Sequence, residues 1–167
     1  MKINLLLLAI VVIAGGIRLI RLEDKVLWLD EQHTVLEANG ISEQVSLNLK
    51  EGFTVTDYKR EKDIKHIARA VVERDSGNGI IYAYGMALWT GVFNNSSYSI
   101  RLVSVIFSLL TTGLLFYLGR DLFNSPAVGY WSAILFSIHH VAILKAQEAR
   151  AYSMATFFYY AVGDAVF

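Results

Sequence analysis

The chain has 167 residues, 54% of them hydrophobic, with 15 basic against 15 acidic side chains, one proline and no cysteine. Balanced charge excludes bulk electrostatic attraction to nucleic acid or an acidic partner, and the lack of thiols excludes a disulfide scaffold or a thiolate metal site. The apolar residues gather into blocks of membrane-spanning length, apolar on every side and separated by one polar segment. That distribution predicts an all-α fold: a polytopic membrane helical bundle with an extracytoplasmic loop of amphipathic juxtamembrane helices.

Residues 3–22 predict the first span, with Arg18 and Arg21 snorkelling to the interface at its far end. A cleavable signal peptide is the alternative, because Lys2, Ala14, Gly15 and Gly16 fit that pattern in part. The further apolar blocks favour an anchor. An external loop is expected over 23–101, and it opens on Trp28-Leu29-Asp30-Glu31-Gln32-His33. Two adjacent carboxylates close to lipid are costly unless they face a polar cavity. A helix is expected from Asp30 to Ala38, stopped by Asn39-Gly40. Asp30, His33 and Glu37 fall on one stripe of it and could hold a divalent cation; no other cofactor is indicated.

Ile41, Val45 and Leu49 recur at i, i+4, i+8 and predict an amphipathic surface helix, followed by an irregular Gly52–Tyr58 stretch and a solvated charge run at 59–63. Asp63 caps a second amphipathic helix with Ile64, Ile67, Ala68, Val71 and Val72 on one side, ended by Ser76-Gly77-Asn78-Gly79. Residues 80–93 are apolar but only 14 long, which suits an interfacial or re-entrant helix, with Tyr82, Tyr84 and Trp89 at headgroup level. Asn94–Ser97 is a turn. Further spans are expected over 102–118, between Arg101 and Arg120, and over 128–144. Lys145-Ala146-Gln147-Glu148-Ala149-Arg150 interrupts the pattern before a last span, 151–167. The apolar run at the chain's end reads as the N-terminal part of a larger membrane domain.

Counting crossings gives an orientation. If 3–22, 102–118 and 128–144 cross the bilayer and 80–93 does not, Asp30-Glu31 and the 147–150 motif reach the same side of the membrane. With Lys2 inside, that side is extracytoplasmic.

The order of short motifs then carries a resemblance. Leu-Asp-Glu follows the first span. Next come Gly-Asn-Gly-x-x-Tyr-x-Tyr, Trp-x-x-Val-Phe, Ser-Ile-Arg-Leu-x-Ser opening one span, Leu-Gly-Arg-Asp-Leu-Phe closing it, and Gln-Glu-Ala-Arg-Ala-Tyr opening another. This set resembles the GT-C superfamily of polyprenyl-phosphate-sugar-dependent glycosyltransferases, the nearest being the protein mannosyltransferases and the bacterial transferases that modify lipid A or lipopolysaccharide. The resemblance covers the chain but only the N-terminal third or so of a member. Gly79-Ile80-Ile81 and Val103 stand where family members often carry proline. By the resemblance, Asp30 matches the catalytic aspartate and Glu31 its neighbour. Gln147, Glu148 and Arg150 fall in a second polar motif that binds substrate, with His140 lining the pocket near it. The implied partners are a polyprenyl-phosphate-linked sugar donor, a lipid, glycan or protein acceptor, and membrane lipid, with no nucleic acid. A multi-pass protein of the plasma or inner membrane is implied.

The chemistry fits those residue types. The phosphodiester donor releases its lipid phosphate as a stable anion, so transfer needs a base for the acceptor hydroxyl and positive charge near the departing phosphate. A carboxylate such as Asp30 can be the base and a guanidinium fork such as Arg150 the clamp. Direct attack without a covalent intermediate implies inversion. Plainer roles stand beside these: Asp30 as a helix N-cap, Glu31 as dipole compensation, Arg150 pairing with Glu148, Lys145–Glu148 as a surface pair, and His139 and His140 as structural histidines. Two other readings of the whole chain are a non-enzymatic transport or assembly protein whose carboxylates line an ion path, and an inactive truncated remnant.

Overall fold

The computed structural model describes residues 4–24, 26–42 and 63–166, with side chains to residue 163. Val45 and Leu49 of the expected surface helix, the Gly52–Tyr58 stretch and most of the 59–63 run lie outside the described residues. Among the described residues all regular structure is helical: α1 (Leu5–Leu19), α2 (Leu29–Ala38), α3 (Ile64–Asp75), α4 (Ile80–Val92), α5 (Ser97–Leu122), α6 (Pro126–Ile138), α7 (His140–Ala146) and α8 (Tyr152–Val166). The chain divides into two compact units, one of Met1–Lys25 with Arg101–Phe167 and the other Val26–Ile100.

In the first unit, α5 is long and apolar enough to cross a bilayer. Its 26 residues reach about 39 Å at 1.5 Å each, beyond the roughly 30 Å hydrocarbon depth. It starts five residues before the expected span, because the hydroxyl of Ser96 accepts the N–H of Ser99 at 3.2 Å and so caps the new helix. One stripe of α5 is polar yet buried: Arg101, Ser104, Ser108, Thr111 and Thr112. Small hydroxyl residues let neighbouring helices approach closely and satisfy their own protons on carbonyls of the preceding turn. Thr111 donates to Phe107 O at 2.8 Å and Thr112 to Ser108 O at 3.1 Å. Near the other end Ile10, Phe116 and Ala133 form a core, with Leu7, Tyr130 and Ile134 against it. Asn4 caps α1 through Leu7 N–H at 3.2 Å and takes the Tyr130 hydroxyl at 3.0 Å. Phe157 of α8 packs against α5, its ring centre 5.8 Å from that of Phe107, while Tyr159 in the same run is exposed.

Three expectations for this unit need correction. The first apolar helix ends at Leu19, short of the 3–22 span, and Arg21 takes a left-handed φ of 57°. Arg18 does not snorkel; it is fully buried. The 128–144 block is not one straight span but α6 and α7, bent by 63° at His139. Arg18 donates to Ser137 O at 3.1 Å and Phe136 O at 3.3 Å, at the end of α6.

The second unit packs α2, α3 and α4 on one another. Asn39 and Gly40 stop α2 as expected, and Asp63 caps α3 by accepting Lys65 N–H at 3.2 Å. The buried seam of α3 is Ile67, Ala70 and Val71, whereas Ile64 and Val72 are exposed, so the apolar face is rotated from the one the spacing suggests. Arg74 explains part of the rotation: from the same seam it donates to Ile41 O at 2.9 Å and Ser42 O at 3.2 Å, fastening the chain that leaves α2. The expected interfacial aromatics are also used internally. Tyr82 is buried, Tyr84 donates to Ile64 O at 3.2 Å, and the Trp89 indole donates to Ser99 O at 3.0 Å.

Gly40 is the tightest point of this unit. Its φ is +67°, and a Cβ there would lie 2.9 Å from the Cβ of His66. Gly40→Ala therefore combines a left-handed alanine with a contact neither partner can swing away from. It should destabilise the protein by about 2–3 kcal/mol, read as a lower melting temperature; an unchanged melt would contradict this geometry.

Candidate active site

The acidic pair sits in the first turn of α2. Trp28 is the N-cap in extended backbone, which makes Asp30 the second helical residue and Glu31 the third. Asp30 is thus not the helix cap. Glu31 fills that role instead. Its carboxylate accepts the Trp28 N–H at 3.3 Å, the third-position half of a capping box, and it is fully buried. Asp30 is partly exposed, and its backbone carbonyl accepts the Thr34 hydroxyl at 3.2 Å. Both carboxylates stand where free helix N–H groups favour negative charge. Gln32 ties the approach to the helix by donating to Leu27 O at 2.8 Å. Val26, Trp28 and Leu29 around Asp30 are exposed apolar side chains, Val26 at 87%.

The metal expectation does not survive. Among the described residues no three His, Asp or Glu side chains converge on a point where an ion could sit. Asp30 and Glu37 are seven positions apart, about 10 Å along the axis, and Glu37 is buried in the body of α2 while His33 is only partly so.

The second motif lies in the other unit, in the turn between α7 and α8. Gln147 donates through Nε2 to Arg18 O and Ile20 O, both at 3.1 Å, and so holds the end of α1. Glu148 pairs with Lys145, Nζ to Oε2 at 2.8 Å, while Lys145 also lies 4.5 Å from the Tyr152 ring centre. The two form the i, i+3 pair that their spacing allows. Arg150 is partly exposed; its backbone N–H donates to Glu148 O at 2.9 Å and its carbonyl accepts the Ser104 hydroxyl at 3.2 Å. Ser153 donates to Lys145 O at 3.2 Å across the same turn. The loop is therefore held at both ends by serines, one from α5 and one from α8.

Beside this turn is a cavity of about 230 Å³ lined by, among others, Ser108, His139, Lys145, Tyr152, Ser153 and Thr156. His139, not His140, is the histidine in its wall; His140 is exposed at the first position of α7. His139 Nδ1 accepts the Ala142 N–H at 3.4 Å. The sequence signal for the cavity is a His-His doublet and a lysine inside an apolar block, but which histidine turns inward depends on the helix break. On the same unit a larger apolar groove of about 970 Å³ is walled by Leu115, Leu118, Leu122, Phe158 and Val162.

Residues 78–162, from just before α4 into α8, match the sequence model of the family described as dolichyl-phosphate-mannose-protein mannosyltransferase. The chain belongs to this family. No curated protein and no solved structure matches it. The family is one of membrane-embedded glycosyltransferases of the GT-C type, and the apolar α5 agrees with that character. Within the family match lie the 145–150 turn and its cavity; Asp30 and Glu31 lie before it.

Proposed function

We propose that the protein transfers a sugar from a polyprenyl-phosphate donor to a hydroxyl on a lipid, glycan or protein, with Asp30 as the base. The acceptor oxygen attacks the anomeric carbon as its proton passes to the Asp30 carboxylate. The bond from that carbon to the phosphate oxygen breaks, and polyprenyl phosphate leaves. One displacement inverts the configuration. Arg150 offers its guanidinium fork to the phosphate, where negative charge grows. Glu31 acts as a positioning residue, fixing the first turn that carries Asp30. The reaction belongs on the extracytoplasmic side of the membrane.

The observation that carries this reading is the division of labour within the acidic pair. Glu31 is buried and committed to the helix cap, whereas Asp30 is left partly exposed among exposed Val26, Trp28 and Leu29. An apolar rim around an accessible carboxylate suits a donor whose sugar must reach water while its tail stays in lipid. The apolar groove of the first unit has the composition an isoprenoid chain requires.

The test is direct. Purified protein in lipid nanodiscs, given a panel of polyprenyl-phosphate hexoses and pentoses, should release polyprenyl phosphate, detectable by mass spectrometry. Arg150→Lys keeps the charge but loses the bidentate fork, and the KM for the donor should rise roughly tenfold. A panel left wholly intact by the wild-type protein would remove the reading.

A further inference from the structure

Arg18 is a fully buried cation whose partners are all neutral. Its Nε donates to the Ser108 hydroxyl at 2.8 Å. Nη1 donates to Ala14 O at 3.2 Å and Ser137 O at 3.1 Å, and Nη2 to Phe136 O at 3.3 Å. The guanidinium carbon also lies 5.7 Å from the Phe136 ring centre. Arginine keeps its charge in such a setting, and burying it is costly unless nearly every N–H is matched. Here at least four donor contacts are made, and two of the acceptors are carbonyls in the last turn of α6.

Those two carbonyls matter because of what they would otherwise do. In a continuing α-helix, Phe136 O and Ser137 O would accept from the N–H groups of His140 and Val141. With the guanidinium on them, the chain turns at His139, and α7 departs at 63° with the His139 side chain capping it. A positive charge at the C-terminal end of α6 is also well placed against that helix's dipole. The contact is reciprocal. Gln147, just past α7, returns two hydrogen bonds to the carbonyls of Arg18 and Ile20. Arg18 thus sits between the start of the bend and the beginning of the polar motif that follows it.

We propose that Arg18 is the positioning residue of the second motif: by holding the final carbonyls of α6 it sets the α6–α7 bend, and with it the course of residues 145–150. This rests on the transferase reading for its catalytic consequence, but not for its conformational one. Arg18 touches no reacting atom. It acts through the direction of α7, on which Lys145 rides and from which Gln147, Glu148 and Arg150 follow.

The chain has no cysteine, so Ala127→Cys and Leu144→Cys place two spin labels uniquely, one at the exposed start of α6 and one at an exposed site on α7. In nanodiscs the wild-type bend should give a backbone separation of about 22 Å, against the roughly 25 Å of a straight helix over that interval. Arg18→Gln should lengthen it toward the straight value, Arg18→Lys should fall between, and Ser108→Ala should broaden the distribution while leaving the charge in place. In the transfer assay Arg18→Gln should raise the donor KM roughly tenfold with kcat within about threefold, and Arg18→Lys should recover part of the loss. A residue serving stability alone would reduce the yield of folded protein without moving the KM of what remains. An unchanged label distance in Arg18→Gln overturns the proposal whatever the kinetics, and a changed distance with wild-type KM overturns its catalytic half. If the wild-type protein transfers no sugar while the label distances shift as expected, the transferase reading has failed and the control of the bend by Arg18 stands.

Discussion

Asp30→Asn should lower the rate of sugar transfer by about 10²–10⁴-fold, the range for losing a general base, while leaving membrane insertion and melting temperature as in the wild type. Asparagine has nearly the same shape, so what disappears is the capacity to accept the acceptor's proton. The Trp28 N–H that opens the helix is taken by Glu31. Glu31→Gln gives the contrasting result. It weakens a buried, charge-assisted cap and should cost about 1 kcal/mol of stability, with a smaller fall in rate than Asp30→Asn. Release of polyprenyl phosphate and thermal melting, measured on the same preparations, separate the two carboxylates. Wild-type turnover by Asp30→Asn would transfer the role of base to another group.

The other large effect belongs to the crossing of α5 and α6. Gly129 has no room for a side chain: a Cβ would lie 2.5 Å from the carbonyl oxygen of Phe116 and 3.1 Å from that residue's ring. Gly119 faces it, where a Cβ would come within 3.1 Å of the Gly129 Cα. The opposing atoms are backbone, so relief requires the two helices to separate along the Phe116–Ala133 core. Gly129→Ala should therefore destabilise by about 1–3 kcal/mol, the usual range for overpacking. Gly16→Ala is the matched control. It is also a helical glycine, but nothing lies within 4 Å of its Cβ position, and alanine there should be neutral or stabilising by about 0.5–1 kcal/mol. Equal melting of Gly129→Ala and Gly16→Ala would contradict the close crossing.

The helical punctuation is legible in the sequence because it is local. Asn39-Gly40, Asp63, Ser76–Gly79 and the polar break after Ala146 each act on residues within one turn of themselves, and each stops or starts a helix where expected. The arginines are not legible. Along the chain, Arg18 and Arg101 look like the charged flanks of apolar spans. In space Arg18 reaches carbonyls more than a hundred residues away, and Arg101 donates to Leu22 O at 2.7 Å. No periodicity encodes a partner at that separation. The break at His139 is hidden for the same reason, since the proposed cause is the guanidinium of another helix and no Gly or Pro marks it locally. The rotated face of α3 follows suit: Ile64 fits the spacing, but Arg74 must face the chain leaving α2, and that requirement turns the helix. In the candidate site, the acidic pair is visible in the sequence, but that Glu31 is the buried residue of the two and accepts the Trp28 N–H needs the position of the cap.

The Arg18 contacts also constrain the order of assembly. The guanidinium is synthesised 119 residues before the Ser137 carbonyl that receives it. Before α6 is made, the Ala14 carbonyl of its own helix and then the Ser108 hydroxyl of α5 are the partners available to it, so its set of contacts is complete only when Phe136 and Ser137 are in place. The packing of α1 in this unit is therefore completed last, once the end of α6 is present.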